Sequence, residues 1–156
     1  MASDIITPDG EENMGYEKFS SHAVYDIKYH IVWTTKYRYK VLTGKVAERL
    51  RNLLRQGCEA RGIKIIRGSV GKDHVHMLVS CPPTMAPCKI VQYLKGRSSK
   101  MLQEEFNELK QRYWGQHLWA VGYFIRTVGT VTEDVIKEYI ENQGSKKEDG
   151  SFKIEQ

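Results

Sequence analysis

Lys72-Asp73-His74-Val75-His76-Met77-Leu78-Val79-Ser80 sets two histidines one residue apart at the start of a β-type run. In a strand, residues i and i+2 point to the same face. His74 and His76 therefore project side by side, while Val75, Met77 and Val79 face the opposite way. Two imidazoles aimed at one point suit a pair of metal ligands that leave coordination positions for a substrate. A partly exposed strand edge presents the same H-x-H pattern, so spacing alone leaves both readings open.

The flanking elements must hold that pair in place. Ile63 to Val70 and His74 to Cys81 are β-type runs joined through Gly71-Lys72-Asp73, a spacing short enough for antiparallel pairing that makes the histidine strand a central one. From Val24 to Thr34 the chain alternates, with Tyr25, Ile27, Tyr29, Ile31 and Trp33 on one face and Asp26, Lys28 and His30 on the other, which predicts a strand with one apolar side. Thr43 to Arg61 places Val46, Leu50, Leu53, Leu54 and Gly57 at helical spacing, with Thr43 as N-cap and Gly62 as stop.

Pro82-Pro83 ends the histidine strand, and residues from about Ala86 to Leu109 read as one helix. Its inner stripe is Ile90, Val91, Leu94, Ser98, Met101 and Leu102. Lys89, Tyr93, Arg97 and Lys100 cluster beside the stripe, whereas Lys95 falls on the apolar side and fits neither group. Gly122 to Val128 is a further strand, and Thr130-Val131-Thr132-Glu133 offers a capping box. The last helix, about Thr132 to Gln143, sets Val135, Ile136, Tyr139, Ile140 and Gln143 on one side. Taken alone, Tyr139 reads as a core tyrosine.

The 156 residues fit one domain with a single core, and 40% hydrophobic residues support a globular body. A formal charge of +5 and an isoelectric point near 9.0 make an anionic partner plausible. Two features sharpen this. Lys36-Tyr37-Arg38-Tyr39-Lys40 interleaves cations for phosphates with rings that stack on unpaired bases, although a solvated turn has the same composition. No acidic residue occurs between Cys81 and Lys100, so the face around Lys89, Arg97 and Lys100 reads either as a phosphate-facing ridge or as a solvated one. Cys58, Cys81 and Cys88 lack C-x-x-C spacing and read as small buried residues of a reducing cytosol. No apolar run is long enough for a membrane span, and no signal peptide is evident, so a cytoplasmic protein without a membrane partner is expected.

The ordered set Tyr29-His30, Thr35-Lys36-Tyr37-Arg38, Asp73-His74-Val75-His76, Leu94-Lys95-Gly96, Trp114-Gly115, Leu118-Trp119, Tyr123-Phe124, Thr127-Val128 and Tyr139 with Gln143 resembles a known family. These residues resemble the HUH single-strand DNA transposases with one catalytic tyrosine, of the IS200/IS605 type. The chain departs from the family pattern at Lys72, where proline is frequent, and at Ala120-Val121, where Asn-Pro is frequent.

The resemblance implies an α/β fold, an α+β sandwich with a mainly antiparallel central sheet of ferredoxin or RRM-like order. It runs from about Tyr25 to Gln143 and implies a catalytic domain at 21–143, while residues 1–20 and 144–156, rich in charged and turn-forming residues without a sustained period, read as tails. His74, His76 and Gln143 would bind a divalent ion, magnesium or manganese, with Asp73 orienting an imidazole from behind. Tyr139 would attack the scissile phosphate to give a 5′-phosphotyrosine and a 3′-hydroxyl. Gln143 lies one turn beyond Tyr139, so one helix would serve both metal and nucleophile. The substrate would be single-stranded DNA with hairpins, with Lys36, Tyr37, Arg38, Lys89, Arg97 and Lys100 as contacts. The family acts as a homodimer in which one subunit's tyrosine helix can complete the other's histidine site. A domesticated nuclease acting on chromosomal hairpins is a rival within the same chemistry, and a non-catalytic nucleic-acid-binding module is the rival outside it. The module accounts for charge and aromatics but leaves His74, His76, Tyr139 and Gln143 as coincidence.

Overall fold

The computed structural model describes residues 18–19 and 24–145. Most of the tail segments expected at 1–20 and 144–156 therefore lie outside the described residues. The elements are β1 (Lys18–Phe19), β2 (Val24–Tyr25), β3 (Lys28–Thr34), α1 (Gly44–Ala60), β4 (Lys64–Val70), β5 (His74–Ser80), α2 (Pro87–Glu105), α3 (Asn107–Arg112), β6 (Phe124–Thr127) and α4 (Thr130–Ser145). Four strands form an antiparallel sheet in the order β4-β5-β3-β6. The histidine strand is central, as the short β4–β5 connection predicts.

Strand alternation divides the apolar residues between two layers. Ile31 and Trp33 from β3, with Val75, Met77 and Val79 from β5, join Leu50, Leu53 and Leu54 of α1 and Ile90, Val91 and Leu94 of α2 in the main core. On the other face, Ile66, Leu78 and Val128 pack against Ile136 and Ile140 of α4. A β-bulge between Ile65 and Arg67 shifts the β4 register. Ile65 faces the main core and its neighbour Ile66 the α4 layer by ordinary alternation, and the bulge makes Arg67 the partner of Leu78 in place of Ile66. The histidines lie on the α4 face, opposite α1 and α2.

The helix ends follow local chemistry. Gly62 takes φ +69 after α1, and the amides of Gly62 and Ile63 donate to the carbonyls of Glu59 and Cys58, a Schellman closure. At the other end, Thr43 is extended but its side chain makes no capping hydrogen bond. The strand expected from Val24 to Thr34 is interrupted at Asp26-Ile27, where the carboxylate of Asp26 pairs with the buried ammonium of Lys28. The helix expected to run to Leu109 breaks at Phe106, whose φ −121 and ψ 99 are extended and whose ring packs on the core. Cys58 and Cys81 are buried, and burial pushes both thiols up to about 12, but Cys88 is exposed, contrary to expectation. No helix among the described residues is long and apolar enough to cross a membrane.

Lys95, which fits neither helix face in the sequence, has a structural task. Its Nζ donates to the carbonyls of Ala120 and Gly122, 2.8 Å each, and so ties the segment before β6 to α2. Nearby, Ser98 Oγ donates to Leu94 O and accepts from Trp119 Nε1, which explains a serine in the inner stripe. Lys95→Met removes the donor to both carbonyls and is expected to cost about 1–3 kcal/mol, read as a lower urea midpoint with an unchanged slope.

Candidate active site

The site is built from one strand crossing, one turn and one helix. β5 pairs with β3 so that His74 stands opposite Thr34 and His76 opposite Val32, while Ser69 of β4 flanks His76 on the other side. The two imidazole centroids are 5.1 Å apart at a steep angle. Behind His74, the buried Asp73 carboxylate receives its Nδ1 at 2.6 Å and accepts Arg38 Nε on its second oxygen at 3.1 Å. A ring whose Nδ1–H meets a carboxylate carries its lone pair on Nε2, the form that binds a metal.

His76 Nδ1 lies 3.4 Å from Nε2 of His30, a buried histidine of β3 that was not among the expected site residues. A signal for it existed, since His30 falls on the polar side of the β3 alternation. Which strand that side would face depends on a pairing register that spacing does not provide.

Electrostatics favour neutral rings. Burial, followed by the charges of His74 and His30, pushes His76 down to about 3. Burial and the Arg126 charge push His30 down to about 4. His74 is lowered by burial, with Asp73 acting in the opposite direction. Neutral imidazole is the ligating form.

α4 brings Tyr139 to the same place. Its ring centroid is 5.9 Å from that of His76, and the residue is 47% exposed. The core reading of Tyr139 is thus overturned, because Ile136 and Ile140 fill the apolar side of α4 instead. Val135, expected on the inner side, is 62% exposed. Tyr139 and His76 line a cavity of about 510 Å³ together with His30, Val32, Phe124 and Arg126. The side chain of Gln143 and those of the capping segment Thr130 to Glu133 lie outside the described residues, although the backbone of both belongs to α4.

The donor set fits a divalent ion in part. Two neutral imidazoles converge, each with a partner at Nδ1, and the buried Ser69 hydroxyl across from His76 has no hydrogen-bond partner among the described residues. No group of three His, Cys, Asp or Glu suitable for a metal occurs among the described residues, and an ion held by the two imidazoles would need further ligands.

The expected DNA contacts divide between the two faces. Lys36–Arg38 forms a 3₁₀ turn beside Asp73, with Tyr37 and Arg38 at φ 63 and 55. This left-handed backbone is held by Lys36 N donating to Leu118 O and Thr35 Oγ1 donating to Tyr39 O. It leaves Tyr37 exposed, with Lys36 Nζ 5.4 Å from its ring centre. Lys89, Arg97 and Lys100 lie on α2, across the sheet from the histidines. Lys89 and Lys100 are exposed, but Arg97 turns toward α1, donating to Leu53 O at 2.9 Å.

A four-stranded antiparallel sheet with helices on both faces, a paired-histidine central strand and a tyrosine helix beside it define an HUH-type α+β sandwich. The family model described as "Transposase IS200 like" matches residues 23–143. The transposase for insertion sequence element IS200 of Salmonella typhimurium is 39% identical over 130 residues, covering 83% of this chain and 85% of that one. The ISDra2 transposase TnpA of Deinococcus radiodurans is 40% identical over 124 residues, covering 80% and 89%. The crystal structure of a Deinococcus radiodurans protein described as a transposase matches with TM-score 0.67 and 37% identity, over 81% of this chain and 97% of that one. A REP-associated tyrosine transposase bound to a REP hairpin matches with TM-score 0.54 at 14% identity, over 79% and 69%, a likeness of fold alone. The chain belongs to the IS200-like transposase family, whose members are DNA-cleaving enzymes.

Proposed function

We propose that this transposase cleaves and rejoins single-stranded DNA at hairpin-bearing ends of an insertion sequence through Tyr139. The observation that carries this reading is the half-exposed Tyr139 ring beside His76, on the histidine face of the sheet. In the forward step the Tyr139 oxygen bonds to the scissile phosphorus and the bond from phosphorus to the 3′-oxygen breaks. The phenolic proton passes to solvent and the departing 3′-oxygen takes one up. A 5′-phosphotyrosine and a 3′-hydroxyl remain. Because one phosphodiester replaces another, a 3′-hydroxyl reverses the step and joins strands without ATP.

His74 and His76, with Gln143 as a third ligand, would hold magnesium or manganese, which when bound neutralises charge on the scissile phosphate and makes the phosphorus more electrophilic. Asp73 positions His74 for that task and Arg38 positions Asp73, which buries a carboxylate where it has a cation and an imidazole as partners. Lys36 and Tyr37 take the strand as it approaches the histidine face. Lys89 and Lys100 contact the DNA backbone across the sheet, with Arg97 mainly serving the α1–α2 contact.

The active form is a homodimer. β6 lies at the sheet edge, and Val121, Tyr123 and Phe124 are exposed beside it. Within one chain Tyr139 already lies near its own His76, so an exchange of α4 between subunits would substitute an equivalent helix.

The test is incubation of a labelled single strand carrying a hairpin end with protein, in manganese and in chelator. A denaturation-resistant protein–DNA product that requires the ion is expected. Cleavage at full rate in chelator, or cleavage with no covalent product, would sink the reading. In the same assay Asp73→Asn, which keeps size but loses the carboxylate charge behind His74, is expected to weaken manganese affinity about 10–100-fold. Titrating the ion against cleavage rate measures it.

A further inference from the structure

A ligating histidine needs its second ring nitrogen fixed, because the hydrogen bond at Nδ1 selects the tautomer with the lone pair on Nε2 and holds the ring in its plane. His74 has the Asp73 carboxylate for this. At His76 the position is taken by another imidazole, and the geometry shows how. His30 Nε2 and His76 Nδ1 approach to 3.4 Å although the ring centroids are 5.7 Å apart. That difference is about as large as the radii of two five-membered rings allow. The planes are only 20° apart, so the rings meet edge to edge, nitrogen pointing at nitrogen, rather than face to face.

His30 is well placed to hold such a contact. It is opposite Leu78 in the β3–β5 register, one same-face step from the Val32–His76 pair, and is 7% exposed. Phe124 of β6 meets it edge-on at 5.9 Å, and Arg126 is its cross-strand neighbour on that side. The ring is therefore confined between β5 and β6.

We propose that His30 is a positioning residue that accepts the Nδ1–H of His76 on its own Nε2 and so fixes His76 in the tautomer that presents Nε2. It would do for His76 what Asp73 does for His74, with a neutral acceptor in place of a carboxylate. The pair of ligands is then supported asymmetrically, by one charged and one uncharged partner. The inference rests on the reading of His76 as a metal ligand, but its central statement concerns a tautomer that exists without metal.

Two measurements separate the inference from that reading. Long-range ¹H–¹⁵N spectra of the metal-free protein above pH 7 should show His76 protonated at Nδ1. In His30→Leu the signal should move toward the Nε2–H form, and in His30→Gln, which keeps an acceptor at the end of the side chain, it should return. Manganese affinity, followed by loss of the free-ion paramagnetic resonance signal, should fall about 10–100-fold in His30→Leu and recover most of the way in His30→Gln. A wild-type His76 protonated at Nε2, or a His30→Leu protein with unchanged tautomer and affinity, overturns the inference. If His76→Ala binds manganese as wild type does, the metal reading fails instead, and the tautomer spectra still decide the role of His30.

Discussion

Tyr139→Phe is expected to abolish covalent capture of single-stranded DNA, with cleavage falling at least about a thousandfold, while hairpin binding stays nearly intact. The substitution removes one oxygen and keeps the ring. The residue is 47% exposed and its ring stands beside His76 outside the Ile136 and Ile140 contact, so stability should change by no more than about 0.5 kcal/mol. A gel-shift titration with hairpin DNA and a denaturing gel of the same mixtures separate binding from chemistry. Sustained cleavage by the variant would show that another group is the nucleophile.

His76→Ala should have an effect of similar size by a different route. It removes one of two converging imidazoles and leaves His30 Nε2 without its neighbour. Divalent-ion-dependent cleavage is expected to fall about a thousandfold, and loss of the buried contact to cost about 1–3 kcal/mol in the urea midpoint. Unlike Tyr139→Phe, the defect should be accompanied by loss of manganese binding. A variant that cleaves normally with the ion, or one that fails to cleave yet binds manganese as wild type does, would contradict the role given to His76.

Much of this site is legible in the chain because strand and helix periods are local. The two-residue period puts His74 and His76 on one face and Val75, Met77 and Val79 on the other, as the two cores confirm. The one-turn step from Tyr139 to Gln143 follows from the helix alone. Gly62 at a left-handed φ after α1 follows from glycine's lack of a β-carbon. Where expectation and structure part, a tertiary contact prevails. Phe106 leaves the helix to bury its ring against the core. Arg97 faces α1 because α2 packs there. Val135 and Tyr139 stay outside because two isoleucines suffice to seat α4 on the sheet.

By itself the sequence determined the paired imidazoles, the nucleophile candidate and the family that unites them, since these depend on residue type and short spacing. Only the tertiary structure decided what stands behind each imidazole. Asp73 is adjacent in sequence, yet Arg38 reaches it from 35 residues away and His30 reaches His76 across 46. Those partners are set by the register of β3 on β5 and by the folding of the Lys36–Arg38 turn against Asp73. Strand register is a property of two segments together, fixed by which faces they bury, and neither segment encodes it alone.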